Sequence, residues 1–582
     1  MLRRDISAEL TCFRGLLLRE ILIPRDEVNL HGEIVHIRHK KLPLGVERAT
    51  APIHSAKIAG NGRRALHAAC LVLGLGSARM AIASPLEFIA VRDPFMAELR
   101  VLECYDLPAD SGRYRLPHFN TWPLQRLELM GDGPPPLQGT LVRTIVAERI
   151  ERELQRDAMG AFARYQARFS TPRLWQRAYP TDDRAELSVG LEGAYDASRI
   201  AGETEKEWRD GSGIHVRAGA QVDRWLAFAH IALGQLENAS SYTDVLITNT
   251  NLAAQTDEAY INYSAGTHWS VTMGRQHFAW GPGEEGSLLV SRTAVPLTAL
   301  YLHLRIAALH ADGFSINATS DPGLGEQFAA HRIEWQPLSE LRLGVAEAAR
   351  YHASGWLPVY VASVIPYSLA QRLQQQDGDS TTEARNNIML SFDASWRPAD
   401  GTRLYGELLI DDLHAKSADT PNKYGWQVGA DGAWTHGFTR LSWNTEYTWT
   451  SRYLYTSFFG RSFVAQGQPI GFPTGPDARR LRVRTTWDPR VAWQVTGIVS
   501  RTWKGENDID EPFVPGNPVP DVSKLEGVVE TTDEATGVLR WWPASGVDLA
   551  LSLGLVRTQN ANHVSGDDRT GLQGSIAFRL LR

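Results

Sequence analysis

Three cysteines in 582 residues, Cys12, Cys70 and Cys104, are too few for a disulfide framework and wrongly spaced for a metal knuckle. No apolar run approaches the ~18 residues that a membrane-spanning helix needs. Lysine and arginine form no cluster fit for a nucleic-acid backbone, and the formal net charge is −6. The chain has no G-x-S-x-G and no H-E-x-x-H, and its histidines are scattered singly. Adjacent carboxylates such as Glu284 and Glu285 more often form a solvated face than a glycosidase acid and base. These absences point away from an enzyme, a metalloprotein, a cofactor-dependent protein and a nucleic-acid binder. What is abundant is aromatic: 18 tryptophans and 17 tyrosines.

One stretch imitates a nucleotide site. "FAWGPGEEGSL" (278–288) contains G-x-G-x-x-G at Gly281, Gly283 and Gly286. That motif cradles a pyrophosphate only when a strand enters it and a helix leaves it. A strand does enter, but "SLLVSRTAVPLTAL" follows, with β-branched residues and Pro296. Pro282 removes a donor, and Glu284 with Glu285 repels a diphosphate. The turn serves something else.

The N-terminal third divides into three parts. Arg63 and Arg64 precede an apolar run (65–78), and Ala81-Ile82-Ala83 supplies small residues before a cleavage point. That is the layout of a secretory signal at 61–83, with Ser84 as mature N-terminus. A signal some sixty residues into a chain makes residues 1–60 read as an extension from a misassigned start. "HGEIVHIRH" (31–39), a zinc-site mimic, falls within it. Residues 84–183 read as helical, with amphipathic segments at 93–107, 119–130 and 141–158.

From about residue 184 the period changes from 3.6 to 2. "RAELSVGLEGAYD", "LYLHLRI" and "GVDLALSLGLV" each put apolar residues on one face and polar ones on the other. Roughly eighteen such segments run to the C-terminus, with no helical pattern between them. Tight turns at 335–340, 397–402, 434–438, 487–490 and 542–546 alternate with long loops at 350–385, 413–424, 451–478, 503–533 and 558–569. Short turns at one end and long loops at the other describe an outer-membrane β-barrel over 184–582. Trp335, Trp434, Trp443, Trp449, Trp487, Trp541 and Trp542, near segment ends, fit its aromatic girdles. A secreted β-propeller also alternates, but it should repeat with a blade-length period, and no repeat occurs.

With an apolar outer wall, alternation sends the other residues into the lumen. "TRLYGELLIDD" points Leu404, Leu408 and Ile410 outward, and Arg403, Tyr405, Glu407 and Asp411 inward. "RRLRVRTTW" points Leu481, Val483 and Trp487 outward, and Arg480, Arg482 and Arg484 inward. Glu446 joins the inner set. This ladder either neutralises itself and stiffens a closed lumen, or offers a charged track to an acidic polymer.

Four stretches, in order along the chain, carry a resemblance: "NTWPL" (120–124), "WGPGEEGSL" (280–288), "LYGELLIDD" (404–412) and "GQPIGFPTGPDA" (467–478). They resemble the Wzi-type outer-membrane capsule-assembly proteins. The resemblance implies an all-β barrel of about 18 antiparallel strands with a helical plug at its periplasmic end. It also implies a lectin-like, non-catalytic role in organising capsular or extracellular polysaccharide at the cell surface. Residues 1–60 have no counterpart in that family, and Phe578 lies inside the last strand rather than at the terminus. Outer-membrane lipids and the barrel-assembly machinery are the other expected partners, and a monomer is the expected state.

Candidate polysaccharide contacts sit on the long loops: Trp280, Glu285, Arg292, Tyr453, Tyr455, Phe458 and Arg461. Aromatic faces stack on sugars, and arginine pairs bidentately with uronates. "SRYLYTSFFGRSF" reads as too exposed by position to be core, though it could equally be the upper girdle. The competing function is a porin for small solutes or saccharides.

Overall fold

The computed structural model describes residues 88–89, 104, 120–122 and 124–125, and then 184–580 with interruptions, the longest at 236–244, 353–359 and 377–385. The extension, the signal segment and the helices expected at 93–107 (Cys104 apart) and 141–158 lie outside the described residues. So does most of 84–183, expected to form a plug.

Among the described residues, eighteen strands of eight residues or more follow one another. They are β1 (Arg184–Ile200), β2 (Gly213–Val222), β3 (Trp225–Gln235), β4 (Leu252–Ser264), β5 (Trp269–Gln276), β6 (Leu297–Ile306), β7 (Ala311–Ser320), β8 (Glu326–Leu338) and β9 (Leu341–His352). After them come β10 (Asn387–Ala399), β11 (Thr402–Asp412), β12 (Lys423–His436), β13 (Thr439–Thr450), β14 (Ala478–Arg490), β15 (Trp493–Lys504), β16 (Glu530–Ala544), β17 (Val547–Gln559) and β18 (Arg569–Leu580). Each pairs antiparallel with its neighbours in sequence, and β18 returns to β1 with Phe578 opposite Gly193, closing the barrel. Closure leaves no open edge of backbone donors and acceptors.

The two ends differ as the turn chemistry dictates. At one end the hairpins are tight: Val222 faces Trp225 across Asp223, which takes φ 51°, and Ala399 faces Thr402 across Gly401, at φ 81°. Two-residue hairpins need such positive φ values to match strand twist. At the other end run the connections β5–β6, β9–β10, β11–β12, β13–β14, β15–β16 and β17–β18, all longer.

Alternation places Leu551, Leu553 and Leu555 of β17 and Leu481, Val483 and Trp487 of β14 on an exposed outer face. Trp225, Trp269, Trp335, Trp396, Trp434, Trp443, Trp487, Trp493 and Trp541 are exposed on the tight-turn half of the barrel. Of the tryptophans expected in girdles, Trp542 does not belong to one, for it lies under the Arg540 guanidinium, whereas Trp449 packs against Tyr424 and Trp426 near the long-loop edge.

One part of the outer wall is covered. Glu347 shares a face with exposed Val345, yet it is buried. Above it sits α1 (Tyr367–Gln376), whose first backbone N–H, from Tyr367, reaches Glu347 Oε2 at 2.6 Å. A carboxylate there satisfies free donors of the first turn. Tyr351, Tyr360, Tyr367, Ala329, Ala349 and Ala370 pack beside it.

Residues 119–130 do not form the expected helix throughout. Thr121–Trp122 and Leu124–Gln125 are short strands: the first pairs with Ala279–Trp280, the second with Phe88–Ile89. A backbone ladder supplied by a distant segment outweighs the local period, and Pro123 between the pairs cannot donate a helical hydrogen bond.

Candidate functional site

The site begins with the connection from β5 to β6. Rather than standing off the barrel, residues 279–291 are almost wholly buried, and they form a core with Tyr301, Phe328, Met389, Leu454, Tyr455, Phe463, Ile470 and Phe472. The glycines permit this. A Cβ on Gly283 would meet the Gly286 carbonyl at 2.2 Å and Gln427 Oε1 at 2.3 Å, and Gly281 has φ 136°. Only glycine lets backbone approach so closely.

The resemblance to a nucleotide turn now has a physical answer. The N–H groups that such a loop would aim at phosphates are taken by carboxylates of the barrel wall. The Glu284 and Glu285 N–H groups donate to Glu446, at 2.8 and 3.4 Å. Those of Leu288 and Leu289 donate to Glu407, at 2.9 and 3.2 Å. The loop's own acids meet β14, the strand adjacent to that of Glu446: Arg480 Nη2 lies 2.7 Å from Glu285, and Arg484 pairs with Glu284. Arg403 pairs with Asp431, reaches the Pro282 carbonyl at 3.4 Å and stacks over Tyr405. Gln427 Nε2 donates to the Gly286 carbonyl at 3.1 Å.

All seven ladder residues therefore lie on the face that alternation assigned them. Arg403, Glu407, Asp411 and Glu446 are buried, and Arg480, Arg482 and Arg484 are half-buried. Arg403, Arg480 and Arg484 each hold a carboxylate from outside the ladder, Asp431 of the wall and Glu285 and Glu284 of the loop, while the ladder's own acids accept backbone N–H groups. A buried arginine column without those acids would be strongly unfavourable.

A second loop locks the first. Asp411 accepts the Tyr455 N–H at 3.0 Å, and the Tyr455 hydroxyl donates to the Leu288 carbonyl at 2.6 Å. Burial holds that phenol far above the usual tyrosine range, so it remains a donor. Ser291 N–H reaches the Ile470 carbonyl at 2.8 Å. From the N-terminal side, Asn120 accepts the Gly281 N–H through its carbonyl, at 2.8 Å. Thr121 hydrogen-bonds both Glu334 (2.6 Å) and Arg332 (2.8 Å), and Arg332 holds Asp393 at 2.5 Å. The four stretches quoted for the resemblance thus meet in one place. Arg332, Glu334 and Asp393 escaped the sequence reading. The alternation of "HRIEWQ", with Ile333 and Trp335 on the other face, was the signal that could have found them.

The expected polysaccharide contacts separate. Trp280 is 1% exposed, so it offers no free face to a sugar ring: its strand pairs with Thr121 and its indole is enclosed. Tyr453 and Tyr455, expected to be exposed, are 8% and 0% exposed. Tyr453 lies edge-on to Phe513 under Arg452, and Tyr455 stacks on Phe463. Apolar partners, Phe513 from another loop and Phe463 from the same one, bury what sequence position alone left open. Phe458 is 51% exposed. Glu285 and Arg292 are half-buried, with Arg292 Nε donating to the Glu285 carbonyl at 3.2 Å. Arg461 lies outside the described residues. Among the described residues, no group of three or more His, Cys, Asp or Glu could hold a metal ion.

A family model described as capsule assembly protein Wzi matches residues 181–572. Among solved structures, the chain is similar to Wzi of Escherichia coli, an outer-membrane protein of group 1 capsule assembly described as a carbohydrate-binding β-barrel. The identity is 14%, the TM-score 0.55, and the match covers 86% of this chain and 99% of that one. OccAB1 of Acinetobacter baumannii matches at 9% identity and TM-score 0.40, over 68% of this chain and 96% of its own. The outer-membrane channel DcaP of the same organism matches at 11% and 0.34, over 68% and 97%. No curated protein matches the sequence.

Proposed function

Because the chain belongs to the Wzi family of capsule assembly proteins, we propose that it spans the outer membrane as an eighteen-stranded barrel and binds capsular or extracellular polysaccharide at its long-loop end. The tight turns face the periplasm, together with a helical plug from residues 84–183. The exposed apolar wall and its tryptophans supply the membrane contact. Secretion with cleavage before Ser84 completes the reading.

The observation that carries binding over conduction is the inward-folded loop, which leaves β5 and β6 and is fixed to strands β11, β13 and β14 through Glu407, Glu446, Arg480 and Arg484. A lumen filled this way presents a rigid, sealed base to the exterior. The polymer then meets what stands above that base, with Phe458 as a stacking surface and Arg292 as a partner for uronate carboxylates, and Arg461 stays a candidate from the sequence alone. The protein performs no covalent step. A deletion strain tests the reading: cell-attached polysaccharide should fall and shed polysaccharide should rise. An unchanged distribution refutes it.

A further inference from the structure

The outer wall changes character around its long-loop edge. Over β12 and β13 that edge is aromatic, with Tyr424, Trp426, Tyr447 and Trp449 in mutual contact. Over β14 to β17 it is cationic. Leu481, Arg501, Asp533 and Arg557 stand opposite one another in successive strand pairs, and so form one row. Arg501 and Arg557 are exposed and share the outward faces of exposed Val499 and Leu555. One step higher, Arg479 and Trp503 are paired.

The charges in this row do not cancel. Arg501 grips Asp533 with two hydrogen bonds, at 2.5 and 2.7 Å, and its guanidinium lies 5.8 Å from the Trp503 ring centre. Arg557 forms no ion pair among the described residues, so the row holds two cations to one anion, and Arg479 above it, which donates to the Ser523 carbonyl, adds a third cation. Arg501 and Arg557 are separated by two strand spacings, about 10 Å, within reach of one shared group between two extended side chains.

Their height is fixed by the strand. Trp493, stacked on Trp541 at the tight-turn end, is eight residues below Arg501. Eight residues at ~3.4 Å each, tilted by about 40°, rise roughly 21 Å. The apolar band of such a barrel is about 25 Å tall. The row therefore sits at the upper rim of the band, where outer-leaflet headgroups lie.

We propose that Arg501 and Arg557, with Arg479 and Trp503 above them, bind the phosphorylated sugar headgroup of an outer-leaflet glycolipid on the outside of the barrel. Arginine forks match phosphate oxygens, Asp533 keeps Arg501 oriented, and Trp503 supplies a face for the sugar. The assignment rests on the membrane-spanning reading above.

The test uses full-length protein in detergent, exchanged free of lipid. It is offered lipid A, dephosphorylated lipid A or inorganic phosphate, and bound lipid is counted by native mass spectrometry. Lipid A should bind at least about tenfold more tightly than its dephosphorylated form, and Arg557→Gln and Arg501→Gln should each remove much of that difference. Equal binding of the two lipids overturns the proposal, as does unchanged lipid A binding by both variants. Displacement of lipid A by inorganic phosphate also overturns it, in favour of a free-phosphate site. If a variant loses its heat-modifiable fold, the comparison of the two lipids on the unaltered protein decides alone. Failure of the unaltered protein to show heat-modifiability strikes the membrane reading instead.

Discussion

Glu446 on β13 accepts the backbone N–H of Glu284 at 2.8 Å, joining residues 162 positions apart across the lumen. The same carboxylate takes the Glu285 N–H and the Tyr405 hydroxyl. One side chain thus holds the acidic tip of the inward loop. Glu446→Ala leaves two backbone donors and a phenol without their acceptor, at about 1–3 kcal/mol for each group left unpaired. The temperature at which the compact electrophoretic band is lost should fall, and less so for Glu446→Gln. An unchanged transition in Glu446→Ala removes the clamp from the account.

Arg480 and Arg484, on the strand beside Glu446, hold the loop through Glu285 and Glu284. Replacing both by alanine frees the acidic tip and leaves two carboxylates to repel one another in the lumen. In planar bilayers the unaltered protein should show little steady conductance, and the double variant distinctly more. Steady open channels in the unaltered protein favour the porin instead.

Gly283 has no room for a side chain, because a Cβ would press on the Gly286 backbone and on Gln427. Overpacking of this kind costs typically about 1–3 kcal/mol. Gly283→Ala should displace the loop and admit trypsin to the one site in 277–296, after Arg292, while the barrel stays heat-modifiable. Protection equal to that of the unaltered protein contradicts so close an approach of loop backbone to barrel wall.

Phe458 and Tyr455 lie three residues apart and should behave differently. Phe458 is exposed, whereas Tyr455 donates to Leu288 and receives the Phe472 N–H at 3.1 Å. Phe458→Ala should release polysaccharide into the medium without altering thermal stability. Tyr455→Phe should lower stability by about 1–3 kcal/mol through the groups it orphans. Normal retention by Phe458→Ala, with loss only in the full deletion, excludes this residue from the polymer site.

Alternation by itself determined which side chains line the interior. Arg403, Glu407, Asp411, Glu446, Arg480, Arg482 and Arg484 could be placed there because a strand turns successive residues to opposite faces, and one face is apolar. The unequal lengths of the connections likewise gave the two ends of the barrel their different characters. The partners of those residues were another matter. That Glu284 faces Arg484, that Tyr455 reaches Leu288 and that Thr121 touches Arg332 depend on loops returning across a closed sheet, over separations of 200, 167 and 211 residues. No local period encodes such contacts. Burial of Trp280 and Tyr455 was decided in the same way: an aromatic residue in a loop is exposed or enclosed according to what folds over it, and here other loops do. The row formed by Arg501, Asp533 and Arg557 shows both halves of the matter. Each residue's outward direction follows from its own strand, while their meeting follows only from the register between strands.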